Sequence, residues 1–133
     1  MAGRLAYLDT SAYVKLPLHE PEQEWLRDAL AEWEGYVSSA LLATEAIRAC
    51  ARYGPAYARD AREWLEGVAL LPLDDSILDQ AASLGPPLLR TLDALHLATA
   101  LSVREDIGVL FTYDERLAEA ASHHGLPVVR RTG

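Results

Sequence analysis

The sequence has little of the residues that would indicate an extracellular or membrane protein. Cys50 is the only cysteine, so an internal disulfide is impossible and a reducing compartment is expected. No apolar run approaches the roughly 18 residues that a membrane-spanning helix needs. The first residues also lack the apolar core of a secretory signal. We therefore expect a cytoplasmic protein without a membrane segment.

Positive charge is also scarce. The chain has 20 acidic and 12 basic residues, which gives a formal net charge of −8, and Lys15 is the only lysine. A broad basic face for capturing nucleic acid is therefore disfavoured. The acidic excess is less unfavourable for such binding if several carboxylates hold divalent cations, because the cations neutralise part of it.

What the sequence does contain is a regular alternation of short apolar runs and helices. Strands are predicted at residues 5–8, 36–38, 68–73, 109–112 and 126–129, with helices between them. This order is typical of an α/β domain with a parallel sheet covered by helices on both faces. The length of 133 residues corresponds to one domain, residues 1–133.

Four acidic residues occupy positions that such a sheet can bring together. Asp9 follows the first strand and Asp114 the fourth, whereas Glu45 lies within a helix and Asp93 opens one. Open parallel sheets bind ligands at the carboxyl ends of strands, where the strand order reverses. If the first and fourth strands are neighbours there, Asp9 and Asp114 face one crevice. Taken singly, each acid is better explained as a cap, a turn residue or a solvated side chain.

Together, the four acids and their flanking residues resemble the PIN-domain nucleases, in particular the VapC-type toxins of bacterial toxin–antitoxin pairs. The matching segments are residues 7–16, the helix around Glu45, residues 89–100 and residues 110–117. The resemblance covers essentially the whole chain. It implies a three-layer PIN-like fold with a five-stranded, mainly parallel sheet flanked by helices. It also implies Mg²⁺ or Mn²⁺ as cofactor, RNA as substrate, a VapB-type antitoxin as partner, and a homodimer.

The resemblance assigns the four acids to a metal-dependent endoribonuclease site. Carboxylates suit Mg²⁺, which prefers hard oxygen ligands, and bound metal promotes phosphodiester hydrolysis. We expect Asp9 and Asp93 to be the primary ligands of the first ion. Asp114 would complete that shell or hold a second ion. Glu45 would orient or deprotonate the attacking water, directly or through the metal shell.

Hydroxyl residues beside the acids are expected to support them. Thr10, Ser11 and Thr112 would hydrogen-bond the carboxylates or contact phosphate. Thr10 and Ser11 also suit the N-cap of a short helix. His96 follows Asp93 by one helical turn, and we expect it to pack or hydrogen-bond beneath the site, because a hard-oxygen site does not require imidazole.

Two arginines lie close to the acids in sequence. Arg48 is three residues after Glu45, and Arg90 is three residues before Asp93. Each would either contact substrate phosphate or form a surface ion pair of little energetic value.

The second predicted helix has an acidic outer face, which bears on partners. RNA would avoid it, whereas an antitoxin segment that carries arginines would be attracted to it. We expect the antitoxin's C-terminal segment to bind in the groove beside this helix and to cover the active site. The acids of this face are Glu20, Glu22, Glu24, Asp28, Glu32 and Glu34.

Other functions fit the sequence less well. An RNA-processing PIN nuclease without an antitoxin, and a catalytically vestigial PIN binding module, both remain open, although four intact acids disfavour the second. A phosphatase of the haloacid-dehalogenase type requires a second aspartate where this chain has Ser11. A receiver domain requires an acid pair near the first strand and a late lysine, and the chain has neither.

Overall fold

A computed structural model describes residues 3–130 of the chain. Strands and helices alternate from β1 to β5. The strands are β1 (Leu5–Leu8), β2 (Gly35–Ser39), β3 (Val68–Leu71), β4 (Ile107–Phe111) and β5 (Val128–Val129). The helices are α1 (Thr10–Tyr13), α2 (Gln23–Leu30), α3 (Leu41–Ala51), α4 (Pro55–Leu65), α5 (Asp75–Ser83), α6 (Thr91–Ser102) and α7 (Glu115–His123).

The five strands form one parallel sheet in the order β3-β2-β1-β4-β5. β1 lies at the centre, where Tyr7 pairs with Val37 on one side and with Leu110 on the other. The chain builds outward from β1 in one direction through β3 and then returns to the other side with β4. The expected reversal of strand order between β1 and β4 is therefore confirmed, and it opens a crevice at their carboxyl ends.

Helices cover both faces of the sheet, as predicted. α1, α2 and α3 pack over one face around Leu8 and Phe111, and α6 and α7 pack over the other around Tyr7 and Leu110. Neighbouring strand residues join opposite cores because side chains alternate along a strand. Each fully buried side chain of this size contributes about 1.5–3 kcal/mol of burial free energy. No helix among residues 3–130 is long and apolar enough to cross a membrane.

Several boundaries differ from those predicted. β3 and β5 are the two edge strands. β3 ends before Pro72 and β5 begins after Pro127, because proline has no N–H to donate to a neighbouring strand. Helix α6 begins at Thr91, so the prediction that Asp93 opens it was wrong. Arg90 has an extended backbone and its carbonyl already accepts from the Ala94 N–H, which starts the helix earlier.

The outer face of α2 is less acidic than predicted. Glu24 and Asp28 are exposed. Glu22 instead faces inward, with its side chain 19% exposed and its Oε2 atom 3.7 Å from Lys15 Nζ. Lys15 also lies 5.0 Å from the centre of the Tyr113 ring. Glu22 therefore helps to hold α2 against the start of the chain and does not belong to a docking face.

Candidate metal centre

Asp9 is the most buried of the four acids, with 3% of its surface exposed. It follows β1 directly and is the N-cap of α1, where its Oδ1 atom accepts from the Ala12 N–H at 2.9 Å. The Ser11 hydroxyl donates to both Asp9 oxygens at 2.8 and 2.9 Å, and the Thr112 hydroxyl donates to Oδ2 at 2.6 Å. The Ser11 hydroxyl has a single proton, which its two contacts share. Three donated protons therefore face about four lone-pair positions, which leaves room for a further ligand.

The assignment of the helix cap to Thr10 or Ser11 was wrong. Asp9 caps α1, and both hydroxyl residues lie inside its first turn. Their hydroxyls are thereby free to reach across the fold. Ser11 holds Asp9, and Thr10 donates to Glu45 Oε1 at 2.7 Å. Both contacts match the expected support of the carboxylates.

The carboxyl end of β4 supports the same hydroxyls from behind. The Tyr113 N–H donates to Ser11 Oγ at 2.8 Å, and the Asp114 N–H donates to Thr112 Oγ1 at 3.0 Å. Each hydroxyl therefore accepts a hydrogen bond from a backbone N–H and donates one to the Asp9 carboxylate. Such chains orient the hydroxyl protons and strengthen each bond in them. Asp9 is held by the end of a neighbouring strand as well as by its own helix.

Burial raises the pKa of Asp9 above its ordinary value. The hydrogen bonds from Thr112, Ala12 and Ser11 and the nearby His96 lower it, but they do not fully compensate. Burial also raises the pKa of Asp93, and the charges of Asp114 and Asp9 raise it further, whereas Arg90 lowers it. The three aspartates are therefore close enough to repel one another.

Asp114 is the N-cap of α7. Its Oδ1 atom accepts from the N–H groups of Arg116 and Leu117 at 2.9 and 3.2 Å. The side chain therefore satisfies helix-terminal donors with one oxygen. The cap also fixes where the carboxylate stands relative to β4.

Glu45 enters from α3 and is bound by two donors on one oxygen. His96 Nε2 lies 2.9 Å and Thr10 Oγ1 lies 2.7 Å from Glu45 Oε1. Burial on its own raises the pKa of Glu45, but the hydrogen bonds from His96 and Thr10 outweigh it, so the net shift is downward. The Glu45 carboxylate is therefore kept ionised. The expectation that His96 hydrogen-bonds beneath the site is confirmed.

The two arginines differ in their relation to the acids. Arg90 Nε lies 4.0 Å from Asp93 Oδ2, and the Arg90 side chain is 67% exposed. This is a loose surface pair, so the guanidinium is free to move toward a phosphate. Arg48 is exposed on α3, one turn beyond Glu45.

Known proteins resemble this chain in both sequence and fold. The sequence profile that describes the PIN domain matches residues 6–122. This chain belongs to the PIN-domain family. The chain is also 45% identical over 123 residues to Ribonuclease VapC46 of Mycobacterium tuberculosis, which covers 92% of this chain and 95% of that protein. Within the PIN-domain family, the relationship is therefore to the VapC-type ribonucleases.

Solved structures agree with the PIN-domain fold. The crystal structure of Mycobacterium tuberculosis VapC20, described as a sarcin-ricin loop cleaving toxin, has a TM-score of 0.74 at 17% identity and covers 95% of this chain and 99% of that chain. A toxin–antitoxin complex from Klebsiella pneumoniae has a TM-score of 0.67 at 22% identity, with 93% and 95% covered. At these identities the likeness concerns the fold.

The donor set of this PIN domain suits a hard divalent cation. Asp9, Asp93 and Asp114 offer only carboxylate oxygens, and their mutual repulsion is what a cation relieves. Among residues 3–130, no three acidic, histidine or cysteine side chains already form a metal-binding group. Within the described residues, the three aspartates are therefore not arranged as a preformed cation site.

Tyr7 is the site residue that sequence reasoning missed. Its hydroxyl lies 2.8 Å from His96 Nδ1, fully buried beneath Asp9. In the sequence Tyr7 looks like any core residue of a strand. Its position two residues before Asp9, on the same side of the strand, was the available signal.

Proposed function

We propose that this protein is a metal-dependent endoribonuclease and the toxin of a type II toxin–antitoxin pair. The observation that carries the proposal is that, within a PIN domain, Thr112 joins Asp9 to the backbone of Asp114 by hydrogen bonds. The charges of Asp114 and Asp9 also raise the pKa of Asp93. The similarity to a curated ribonuclease over nearly the whole chain supports RNA as the substrate. Residues 1–133 would form a single PIN-like nuclease domain.

Asp9, Asp93 and Asp114 would hold Mg²⁺ or Mn²⁺. The bound cation would neutralise the scissile phosphate and lower the pKa of its water. Ser11 and Thr112 keep the Asp9 carboxylate in one orientation through hydrogen bonds of 2.6–2.9 Å. Asp9 would thus be a ligand that the protein holds in one orientation, and Asp93 and Asp114 would supply the other carboxylates.

The remaining residues would handle the water and the phosphate. Glu45 is ionised and anchored through Oε1, which suits it to orient or deprotonate the attacking water. Arg90 is exposed and loosely paired, so its forked guanidinium would bind a phosphate oxygen. Arg48 would contact the RNA backbone further along α3.

A vestigial binding module would not need the support that Asp9 receives. A buried carboxylate costs several kcal/mol of desolvation free energy unless donors compensate it. The chain maintains four hydrogen-bond contacts to Asp9 from three donor residues. Such an arrangement favours an active metal site over a remnant.

The decisive experiment is cleavage of total RNA by the wild type and by Asp9→Asn, each with Mg²⁺, Mn²⁺ or EDTA. We expect the wild type to cleave with either metal and to leave 5′-phosphate and 3′-hydroxyl ends. Asp9→Asn and EDTA should each abolish cleavage. Equal activity in both proteins, or 2′,3′-cyclic phosphate products, would contradict the mechanism.

Asp74 supplies a matched control for this experiment. It is also an N-cap aspartate, with φ −81° and ψ 175° against φ −82° and ψ 177° for Asp9, and it also accepts from an N–H three residues later at 2.9 Å. Asp74→Asn makes the same replacement of an N-cap carboxylate by an amide, at the start of α5. It should retain full ribonuclease activity.

A VapB-type antitoxin is the proposed protein partner. The structural likeness to a chain from a toxin–antitoxin complex supports it. A cavity of about 300 Å³ lies beside α2, and its mainly apolar lining includes Leu16, Leu30 and Trp64 together with Arg27. Exposed Glu24 and Asp28 belong to the same helix. An amphipathic, arginine-bearing tail matches this combination of an apolar groove and acidic charge.

The partner proposal is tested with the product of the small open reading frame next to this gene. The double substitution Glu24→Lys and Asp28→Lys should weaken the complex at low salt. The matched control reverses two other exposed acids, Glu105 and Glu119, and should leave affinity unchanged. Unchanged affinity in the α2 variant would refute this docking face.

A homodimer in the cytoplasm completes the proposal. Large exposed apolar side chains suggest an interface, because soluble monomers cover such patches. Three of them belong to α5, the loop after it and the first turn of α6: Leu78 (45% exposed), Leu88 (89%) and Leu92 (49%). Light scattering should give twice the chain mass for the wild type and the single chain mass for Leu88→Glu with Leu92→Glu.

A further inference from the structure

A hydrogen-bonded chain of buried side chains runs beneath the acids and ends on Glu45. It begins at the Tyr7 hydroxyl, which lies 2.8 Å from His96 Nδ1, and continues from His96 Nε2 to Glu45 Oε1 at 2.9 Å. Tyr7 is fully buried and His96 is 3% exposed, whereas the Glu45 side chain is 22% exposed. These hydrogen bonds thus lead from the buried core to the partly exposed carboxylate of Glu45.

The hydrogen-bonded chain links three elements of the fold. Tyr7 belongs to β1, His96 to α6 and Glu45 to α3. α3 and α6 pack over opposite faces of the sheet. The contact between His96 and Glu45 therefore joins the two helical layers across the carboxyl end of the strands. Without it, Glu45 is positioned only by its own helix and by Thr10.

The direction of each hydrogen bond follows from the groups involved. The ionised Glu45 carboxylate only accepts, so His96 Nε2 carries a proton and donates to Oε1. In the neutral imidazole Nδ1 is then an acceptor, and the Tyr7 O–H donates to it. Burial raises the pKa of Tyr7, so the phenol keeps its proton. The rings also meet edge to face at 6.0 Å and 86°, which restrains rotation of the imidazole.

The two oxygens of Glu45 consequently have different surroundings. His96 Nε2 and Thr10 Oγ1 both converge on Oε1, and they lie 3.3 Å from each other. Two donors on one oxygen fix the plane of the carboxylate. The hydrogen bonds that the described residues make to Glu45 therefore leave Oε2 available for a further partner.

We propose that His96, oriented by Tyr7, is a positioning residue that fixes the Glu45 carboxylate so that Oε2 addresses the attacking water or the metal shell. The role rests on the proposed metal-dependent nuclease function. His96 touches neither metal nor RNA and acts only through Glu45. Outer-shell partners of this kind typically contribute about 10- to 100-fold to metal affinity or activity.

The alternative is that His96 is simply a satisfied polar residue of the core. That alternative predicts that substitution of His96 lowers stability. It also predicts that the effect on Mn²⁺ binding is the same whether or not Glu45 is present. A double-substitution cycle separates the two, because residues that act through one another do not have additive effects. The Mn²⁺ dissociation constant, measured by calorimetry, can be read in variants that no longer cleave RNA.

The variants are His96→Leu, His96→Gln and Tyr7→Phe, each alone and with Glu45→Gln. His96→Leu should reduce kcat about 10- to 100-fold and weaken Mn²⁺ binding. His96→Gln retains an N–H donor and should restore part of both. Tyr7→Phe keeps the ring and should have a smaller effect than His96→Leu. In the Glu45→Gln background, none of the three should change the Mn²⁺ dissociation constant further.

Cys50→Ala is the matched stability control, because Cys50 is fully buried in α3, the helix of Glu45, and makes no part of the site. It should lower Tm without changing kcat or Mn²⁺ affinity. The role of His96 is overturned if His96→Leu behaves like this control, with a lower Tm but unchanged kcat and Mn²⁺ affinity. Additive effects on Mn²⁺ affinity in the Glu45→Gln background would overturn it as well. A wild type that neither binds Mn²⁺ nor cleaves RNA would instead refute the proposed function and the role with it.

Discussion

Asp9 and Asp74 have nearly the same backbone angles and the same capping bond, yet only Asp9 belongs to the site. The difference lies in what surrounds each carboxylate. Asp74 is exposed, whereas Asp9 is buried and bound by Ser11 and Thr112. At the scale of the residue, local conformation therefore does not distinguish a structural acid from a ligand. Burial and the hydrogen-bond partners of the side chain distinguish the two kinds of acid.

Removing a hydroxyl from Asp9 should affect both stability and activity. Ser11→Ala and Thr112→Val each leave a buried carboxylate with one donor fewer, at a cost of about 1–3 kcal/mol in the free energy of unfolding. Activity should fall about 10- to 100-fold, because the ligand is less well oriented. Denaturant unfolding and RNA cleavage kinetics measure the two effects. Ser122→Ala, at an exposed position in α7, should change neither.

Asp93 should make the metal-free protein less stable as pH rises. Its pKa is raised in the folded state, so the folded protein holds the proton more tightly than the unfolded chain. Stability therefore falls as pH increases from about the ordinary value of 3.8 through the raised folded pKa. Asp93→Asn removes this dependence. In EDTA its Tm should exceed that of the wild type at pH 7, and the gap should close toward pH 4.

An Asp93→Asn protein that is less stable than the wild type in EDTA at pH 7 would contradict the repulsion among the three aspartates. Adding Mn²⁺ should reverse the order, because only the wild type gains binding free energy. The same samples should show that Asp93→Asn no longer cleaves RNA.

At the scale of the element, Asp114 has two tasks at the start of α7. It caps the helix, and it is a proposed metal ligand. Asp114→Asn keeps an oxygen for the capped N–H groups, whereas Asp114→Ala removes the cap at a cost of about 1 kcal/mol. Both should lose ribonuclease activity, but only Asp114→Ala should show a clear drop in Tm. Asp74→Ala should lose similar stability with full activity. Retained cleavage by Asp114→Asn would remove Asp114 from the metal site.

Sequence patterns predicted the elements and the crevice because these follow from local rules. The period of apolar residues locates each strand. That β1 and β4 are neighbours was a condition of the sequence argument, and the sheet order shows that it is met. The partners of individual side chains were harder to predict. Ser11 and Thr112 were expected to support carboxylates, but their joint hold on Asp9 depends on the register of β1 against β4. The contact between Tyr7 and His96 spans 89 residues and has no local signal.

At the scale of the whole molecule, the net charge of −8 limits how the protein holds RNA. Arg90 and Arg48 are the arginines proposed to meet the substrate, so few counterions are released on binding. We expect KM for RNA to change less than about 10-fold between about 50 and about 200 mM KCl. A protein with many phosphate contacts would change by several orders of magnitude. A steep dependence would indicate a basic surface that these two residues do not explain.

The dependence of Asp9 on Thr112 also sets when the site can exist during synthesis. The two residues are 103 positions apart, and the Ser11 hydroxyl likewise accepts from the Tyr113 N–H. Chains fold as they leave the ribosome, and distant contacts form last. A growing chain that ends before β4 contains Asp9, Ser11 and Ala12 but lacks Thr112 and the Tyr113 N–H that supports the Ser11 hydroxyl. The translating ribosome is therefore not exposed to an assembled nuclease until the end of β4 and the start of α7 have emerged.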